Sequence, residues 1–222
     1  MKLTIFAATG GIGRHLLEQS LAAGHDVTAV VRNPGKLPPT AARVVTADLA
    51  DAEPATLRAA VEGADAVLSG LGARVKTEAG VAWRGTQAIV SAMKVAAVRR
   101  IVVVSAAPIG TVPSPARPKP PRHDPGDNFV MRYLAGPIIK AALREHYADL
   151  ARMEDVLRDS GLDWTVVRPP RLTDKPVSGS YRTALGQNLP GGMFASRADV
   201  AHCMLRAVGE PETIKHTVGL AN

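Results

Sequence analysis

Cysteine is nearly absent. Cys203 is the only one in 222 residues, so no internal disulfide can form and a zinc site built from several thiolates is excluded. Aromatic residues are scarce as well, 3 Phe, 3 Tyr and 2 Trp, too few for a platform on which nucleic-acid bases stack. Acidic residues are outnumbered 20 to 27 by Lys and Arg, a net charge of +7 that favours anionic partners. The basic residues are nevertheless scattered. Arg99-Arg100 is the only adjacent pair, which disfavours nucleic acid and leaves a phosphorylated cofactor or an acidic small molecule. No apolar run approaches the ~18 residues of a membrane span. The opening Leu3-Thr4-Ile5-Phe6-Ala7-Ala8 is too soon interrupted by glycines and Arg14 to be a signal peptide, so it is expected to be a first strand. These features point to the cytoplasm.

What is present is an alternation of short β-branched runs with amphipathic stretches. This is the pattern of an α/β fold, a doubly wound parallel sheet of Rossmann type, in one domain over 1–222. Strands are expected at 3–6, 27–31, 43–45, 66–68, 101–104 and 164–167, with helices following 10, over 55–61, 81–97 and 148–158. Gly24, Gly63 and Gly161 each separate a helix from the next strand, where a left-handed cap is expected. The six prolines between Thr111 and Pro125 forbid a helix or inner strand. That segment, 111–125, is either a passive loop or a basic lid over the ligand side of the sheet.

The turn Ala7-Ala8-Thr9-Gly10-Gly11-Ile12-Gly13 joins the first strand to the first helix. Glycines there let backbone N–H groups approach a pyrophosphate, and the helix N-terminus favours the negative charge. Arg32, just after the second strand, stands where an acidic residue would hold the ribose hydroxyl of NAD. An arginine suits the 2′-phosphate of NADP(H), or it is a solvated loop residue. Asp48 and Leu49 follow the third strand and can receive an adenine, although Asp48 could instead cap the next helix. Ser105 ends the fifth strand, where it faces a nicotinamide or satisfies a backbone group. Arg171 either holds a substrate carboxylate or phosphate or remains a surface residue. Cys203 has no nameable activating partner and reads as a buried helix residue.

The run 8–13, Val31-Arg32-Asn33 and Arg168-Pro169-Pro170 resemble the NAD(P)H-binding, atypical branch of the short-chain dehydrogenase/reductase superfamily. Within it the chain is most similar to the biliverdin-IXβ reductase/flavin reductase group, as are 152–162, Gly179-Ser180-Tyr181 and 196–202. The resemblance implies that Thr9, Gly10, Gly11, Ile12, Gly13, Arg32, Asp48, Leu49, Ser105 and Pro169 bind the cofactor. It adds Leu71, Gly72 and Arg74, from the loop after the fourth strand, to the cofactor set. It makes Arg122 a lid arginine beside the substrate, a substrate-side region about 170–195, and Asp124 to Tyr147 an insertion.

Three departures accompany it. Ala7 replaces the first glycine of the turn. The superfamily's tyrosine with a lysine four residues on is missing, since Tyr147 is followed at that spacing by Ala151 and His146 by Leu150. Only one hydroxyl, Ser105, remains where the group has a pair, with Arg171 in place of a histidine. The implied activity is NADPH-dependent hydride transfer to a flavin or biliverdin-type tetrapyrrole, with Ser105 as the catalytic candidate. Alternatives are a non-catalytic NADP(H)-sensing regulator and a reductase of quinones or small carbonyls.

Overall fold

Side chains of a strand alternate between its two faces, and here each face is apolar, so both must be covered. In the computed structural model, which describes residues 1–72, 80–127, 133 and 136–222, the strands are β1 (Lys2–Phe6), β2 (Asp26–Val31), β3 (Arg43–Thr46), β4 (Ala66–Ser69), β5 (Arg100–Val104), β6 (Asp163–Arg168), β7 (Arg171–Thr173), β8 (Arg182–Leu185), β9 (Phe194–Ser196) and β10 (His216–Ala221). The helices are α1 (Gly11–Ala22), α2 (Pro54–Val61), α3 (Val81–Val95), α4 (Gly136–Ala142), α5 (Arg144–Arg158) and α6 (Arg197–Ala207).

Eight strands form one sheet in the order β3-β2-β1-β4-β5-β6-β10-β8. All pair in parallel except β8, which runs antiparallel to β10. Strand order reverses between β1 and β4, the switch point at which ligands enter folds of this kind. A separate parallel pair joins β7 with β9.

Leu3 and Ile5 of β1 and Val102 of β5 pack with Leu16 of α1 and Met204 of α6. Phe6, Ile101 and Val103 point the other way, onto Leu57, Ile89, Met93 and Leu157 of α2, α3 and α5. Thr4 would be misplaced on that face, but its hydroxyl donates to the Ala60 carbonyl at the end of α2, 2.7 Å away. The expected strands and the caps at Gly24, Gly63 and Gly161 are present, the three glycines having φ of +75°, +70° and +73°. Helix α5 begins four residues before the expected start.

Helices α3 and α6 are completed at their starts by side chains, one distant and one local. Asp149 of α5 accepts from the N–H groups of Gly80, Ala82 and Trp83 at 3.1, 3.2 and 2.9 Å, capping α3 across the fold. Ser196 caps α6 through the N–H of Asp199 at 2.9 Å. Helix α1 has no side-chain cap and no acidic residue in its first turn.

Candidate functional site

The glycine turn is shaped by two close approaches. Ala7 is left-handed, with φ of 59°, a conformation that glycine adopts without strain and an L-residue at a cost of about 1–2 kcal/mol. Its carbonyl oxygen would lie 2.0 Å from a Cβ on Gly13, so only glycine fits there. Gly70, after β4, also passes close: a Cβ on it would stand 3.1 Å from the Gly13 nitrogen.

A cleft lies between this turn and the ends of β2, β3 and β4. Phe6, Thr9, Arg32, Asp48, Leu49, Leu71 and Gly72 line it, together with Asn33 and Lys36. Arg32 and Lys36 are exposed cations at its outer end, and Leu71 is a buried apolar wall. Asn33 accepts from the Gly35 N–H at 3.0 Å and so sets the turn that carries Lys36. Asp48 makes a similar local turn, accepting from Ala50 N–H at 3.1 Å, while Glu53 occupies the N-cap of α2. The helix-cap alternative for Asp48 is thereby excluded.

A second, larger cavity of about 650 Å³ adjoins the ends of β5 and β6. Ser105, Pro169 and Arg171 line it, as do His146, Tyr147 and Arg168. Its outer wall comes from α4 and the start of α5, through Ile139, Lys140 and Leu143. The opposite wall is Leu172, Leu189, Met193 and Phe194.

Ser105 does not satisfy a strand-end backbone group through its hydroxyl. It donates to Glu154 Oε1 at 2.8 Å. Glu154 is 1% exposed and also accepts from Arg168 Nε, at 2.9 Å, and Nη2, and from Arg158. Burial pushes the Glu154 carboxyl up, but the Arg168 charge and hydrogen bonds, Arg158 and the Ser105 hydroxyl outweigh it and hold the group below the usual carboxylate range. Burial raises the Tyr147 phenol, and it lowers the His146 imidazole against the opposing Asp149 charge, so the neutral form of each is favoured beside the cavity.

A family model for NAD(P)H-binding proteins matches residues 7–211. The chain belongs to this NAD(P)H-binding family. A UPF0659 protein of Schizosaccharomyces pombe is 29% identical, covering 99% of this chain and 90% of that protein. Among solved structures, the anaerobilin reductase of Escherichia coli O157:H7 has a TM-score of 0.74 at 22% identity, covering 99% and 97% of the two chains. A Streptococcus pneumoniae protein described as an NADH-flavin reductase has a TM-score of 0.73 at 23% identity, covering 100% and 99%. At these identities the two structures establish the Rossmann-like architecture.

The residues fit the family's cofactor. The uncapped start of α1 presents N–H donors for a pyrophosphate. Among the described residues, a Cβ on Gly72 would meet no atom within 4 Å. Leu49 and Leu71 offer apolar cover for an adenine, and Arg32 with Lys36 offers cations for a ribose phosphate.

Of the expected site residues, Gly10, Gly11, Ile12 and Gly13 form the turn and the start of α1 without lining the cleft or the cavity, and two others are not gathered here. Arg74 lies outside the described residues. Arg122 is exposed and lines neither the cleft nor the cavity. Of the Pro-rich segment, Thr111 alone lines the cavity. Its flanks are fastened down: Ser114 donates to Asp155 at 2.9 Å, and Asp124 accepts from the N–H of Asn188 at 2.8 Å.

Sequence reasoning missed Lys36, Glu154, Arg168 as a paired cation, and the α4 wall. Lys36 carried a signal, being a second cation four residues after Arg32. Glu154 lies 49 residues from Ser105, and no local pattern joins them.

Proposed function

We propose that this chain is an NADPH-dependent reductase that delivers hydride to a planar, conjugated acceptor such as a flavin or a biliverdin-type tetrapyrrole. The observation that carries this reading is the broad, mostly apolar cavity beside Ser105, which follows β5, the strand paired with β4, while Leu71 and Gly72 after β4 line the cleft whose residues fit a dinucleotide. The rim of that cavity holds Lys140 and Arg171, which suit carboxylates or a phosphate on the acceptor. Phe194 and Met193, 45% and 56% exposed, supply faces against which a flat ring system can lie.

The reduced nicotinamide supplies the hydride when bound. The chain's own residues position and enclose. Because the Ser105 proton is committed to Glu154, its free lone pairs accept from a carboxamide or ring N–H in the cavity. Arg168 is fixed by Glu154 and contributes a rigid wall. An acceptor of this class takes its proton from solvent, so the missing tyrosine–lysine relay is no obstacle. Arg32 and Lys36 support NADPH over NADH.

The test is oxidation of NADPH, followed by the nicotinamide absorbance, with FMN, riboflavin, biliverdin and quinones offered in turn. Turnover of a flavin or the tetrapyrrole supports the proposal. Turnover of quinones alone changes the acceptor. Tight NADPH binding without turnover of any of them replaces the reductase with a cofactor sensor, the reading that the missing relay favours.

A further inference from the structure

Arg197 is the first residue of α6, and its side chain crosses the glycine turn. A Cβ on Gly11 would stand 2.9 Å from both Cδ and Nε of Arg197. The absence of a side chain at position 11 is therefore what gives the arginine its place. Beyond that crossing, Nη1 donates to Asp174 Oδ1 at 2.7 Å. Arg197 also lines the larger cavity, on the side nearest the turn. It thus spans the route from the pyrophosphate position to the space beside Ser105.

Its present partner is a poor one. The Asp174 side chain is 86% exposed, so water screens the pair and contributes to its weakness. Asp174 is not needed to form α6, since Ser196 supplies the cap by itself. Arg32 and Lys36 line the other cleft, at the far end of the turn, and leave no cation of their own beside Gly11.

We infer that Arg197 binds the pyrophosphate of the cofactor, and that Asp174 holds its guanidinium over the glycine turn until the cofactor arrives. A pyrophosphate offers charged oxygens that match the guanidinium fork, and it exchanges an exposed carboxylate for a doubly charged group. Asp174 then acts as an internal competitor that sets cofactor affinity. This rests on the dinucleotide reading of the glycine turn.

Calorimetric titration of the full chain with NADPH, NADH and adenosine 2′-monophosphate tests it. Arg197→Ala should weaken NADPH and NADH alike, by about 10- to 100-fold, because both carry the pyrophosphate. Adenosine 2′-monophosphate, which lacks it, should bind as to the wild type. Arg197→Lys, which keeps the charge and most of the stem, should lose less and guards against a variant that does not fold. Asp174→Asn should tighten NADPH by about two- to fivefold, and should do nothing in the Arg197→Ala background. Unchanged NADPH affinity in Arg197→Ala overturns the inference, as does an equal loss for adenosine 2′-monophosphate. Unchanged affinity in Asp174→Asn overturns the competitor role. A wild type that binds neither dinucleotide overturns the cofactor reading itself, and so separates that failure from the others.

Discussion

The hydroxyl of Ser105 donates to Glu154 Oε1 at 2.8 Å, so the residue that follows β5 is tied to α5. The same carboxylate carries Arg168, which continues the neighbouring strand. One buried anion therefore fixes the donor and acceptor pattern at the ends of β5 and β6 together. Removing it should be costly. Glu154→Ala removes the partner of the buried Arg168 cation, and denaturant unfolding should show a loss of about 3–5 kcal/mol. Ser105→Ala removes one hydrogen bond and should cost about 1 kcal/mol. If Ser105 positions the nicotinamide or the acceptor, kcat should nevertheless fall in Ser105→Ala by about tenfold while the melting temperature stays close to that of the wild type.

Arg32 should discriminate between cofactors. A charge-assisted bond to the 2′-phosphate is worth roughly 1.5–3 kcal/mol, or about ten- to a hundredfold in affinity. Arg32→Ala should lose that factor for NADPH and leave NADH almost unchanged. Arg32→Asp should reverse the preference, although Lys36 beside it will soften the reversal. Equal losses for both cofactors, in titrations of the two variants, would assign Arg32 to the fold.

Asp199 should make the fold acid-sensitive. Burial pushes its carboxyl up, but hydrogen bonds from Asn222, Ser178 and Gly179 outweigh that and bring it from 3.8 to about 2. Its folded value lies below its unfolded one, so its contribution is complete above the unfolded value. It is then lost as pH falls toward the folded value. The unfolding free energy from urea titrations should therefore drop between about pH 4 and pH 2, by an amount on the order of 1–2 kcal/mol from this group. Asp199→Asn should be less stable at neutral pH and should flatten that part of the profile.

The Pro-rich segment should behave as a fastened loop. Arg117 and Lys119 each precede proline and resist trypsin, which leaves the exposed Arg122 as its cutting point. Cutting there should proceed at the same rate with and without NADP, because Ser114 and Asp124 hold the flanks in either case. Arg122→Ala should leave cofactor affinity within about twofold of the wild type. Suppression of cutting by NADP would reveal a closure over the cavity.

Much of this protein was legible without coordinates. Strands β1 to β6, the left-handed glycines and the glycine turn depend on local sterics and on side-chain period, which are written in neighbouring residues. Leu71 and Gly72 could be expected on one cleft because their loop resembles the family's cofactor loop, and Thr9, Arg32, Asp48 and Leu49 because each follows a strand of a parallel sheet. Ser105 and Arg171 could be assigned to the same side for the same reason.

What only the tertiary structure decided involves groups far apart in the chain. Asp149 caps a helix 66 to 69 residues away, and Glu154 collects Ser105 and Arg168 from two strands. Helix α4 becomes a cavity wall, and Arg197 comes to lie across Gly11. Buried charge and helix ends must find partners wherever packing supplies them, since the cost of leaving them unpaired is set by the three-dimensional environment and not by local sequence.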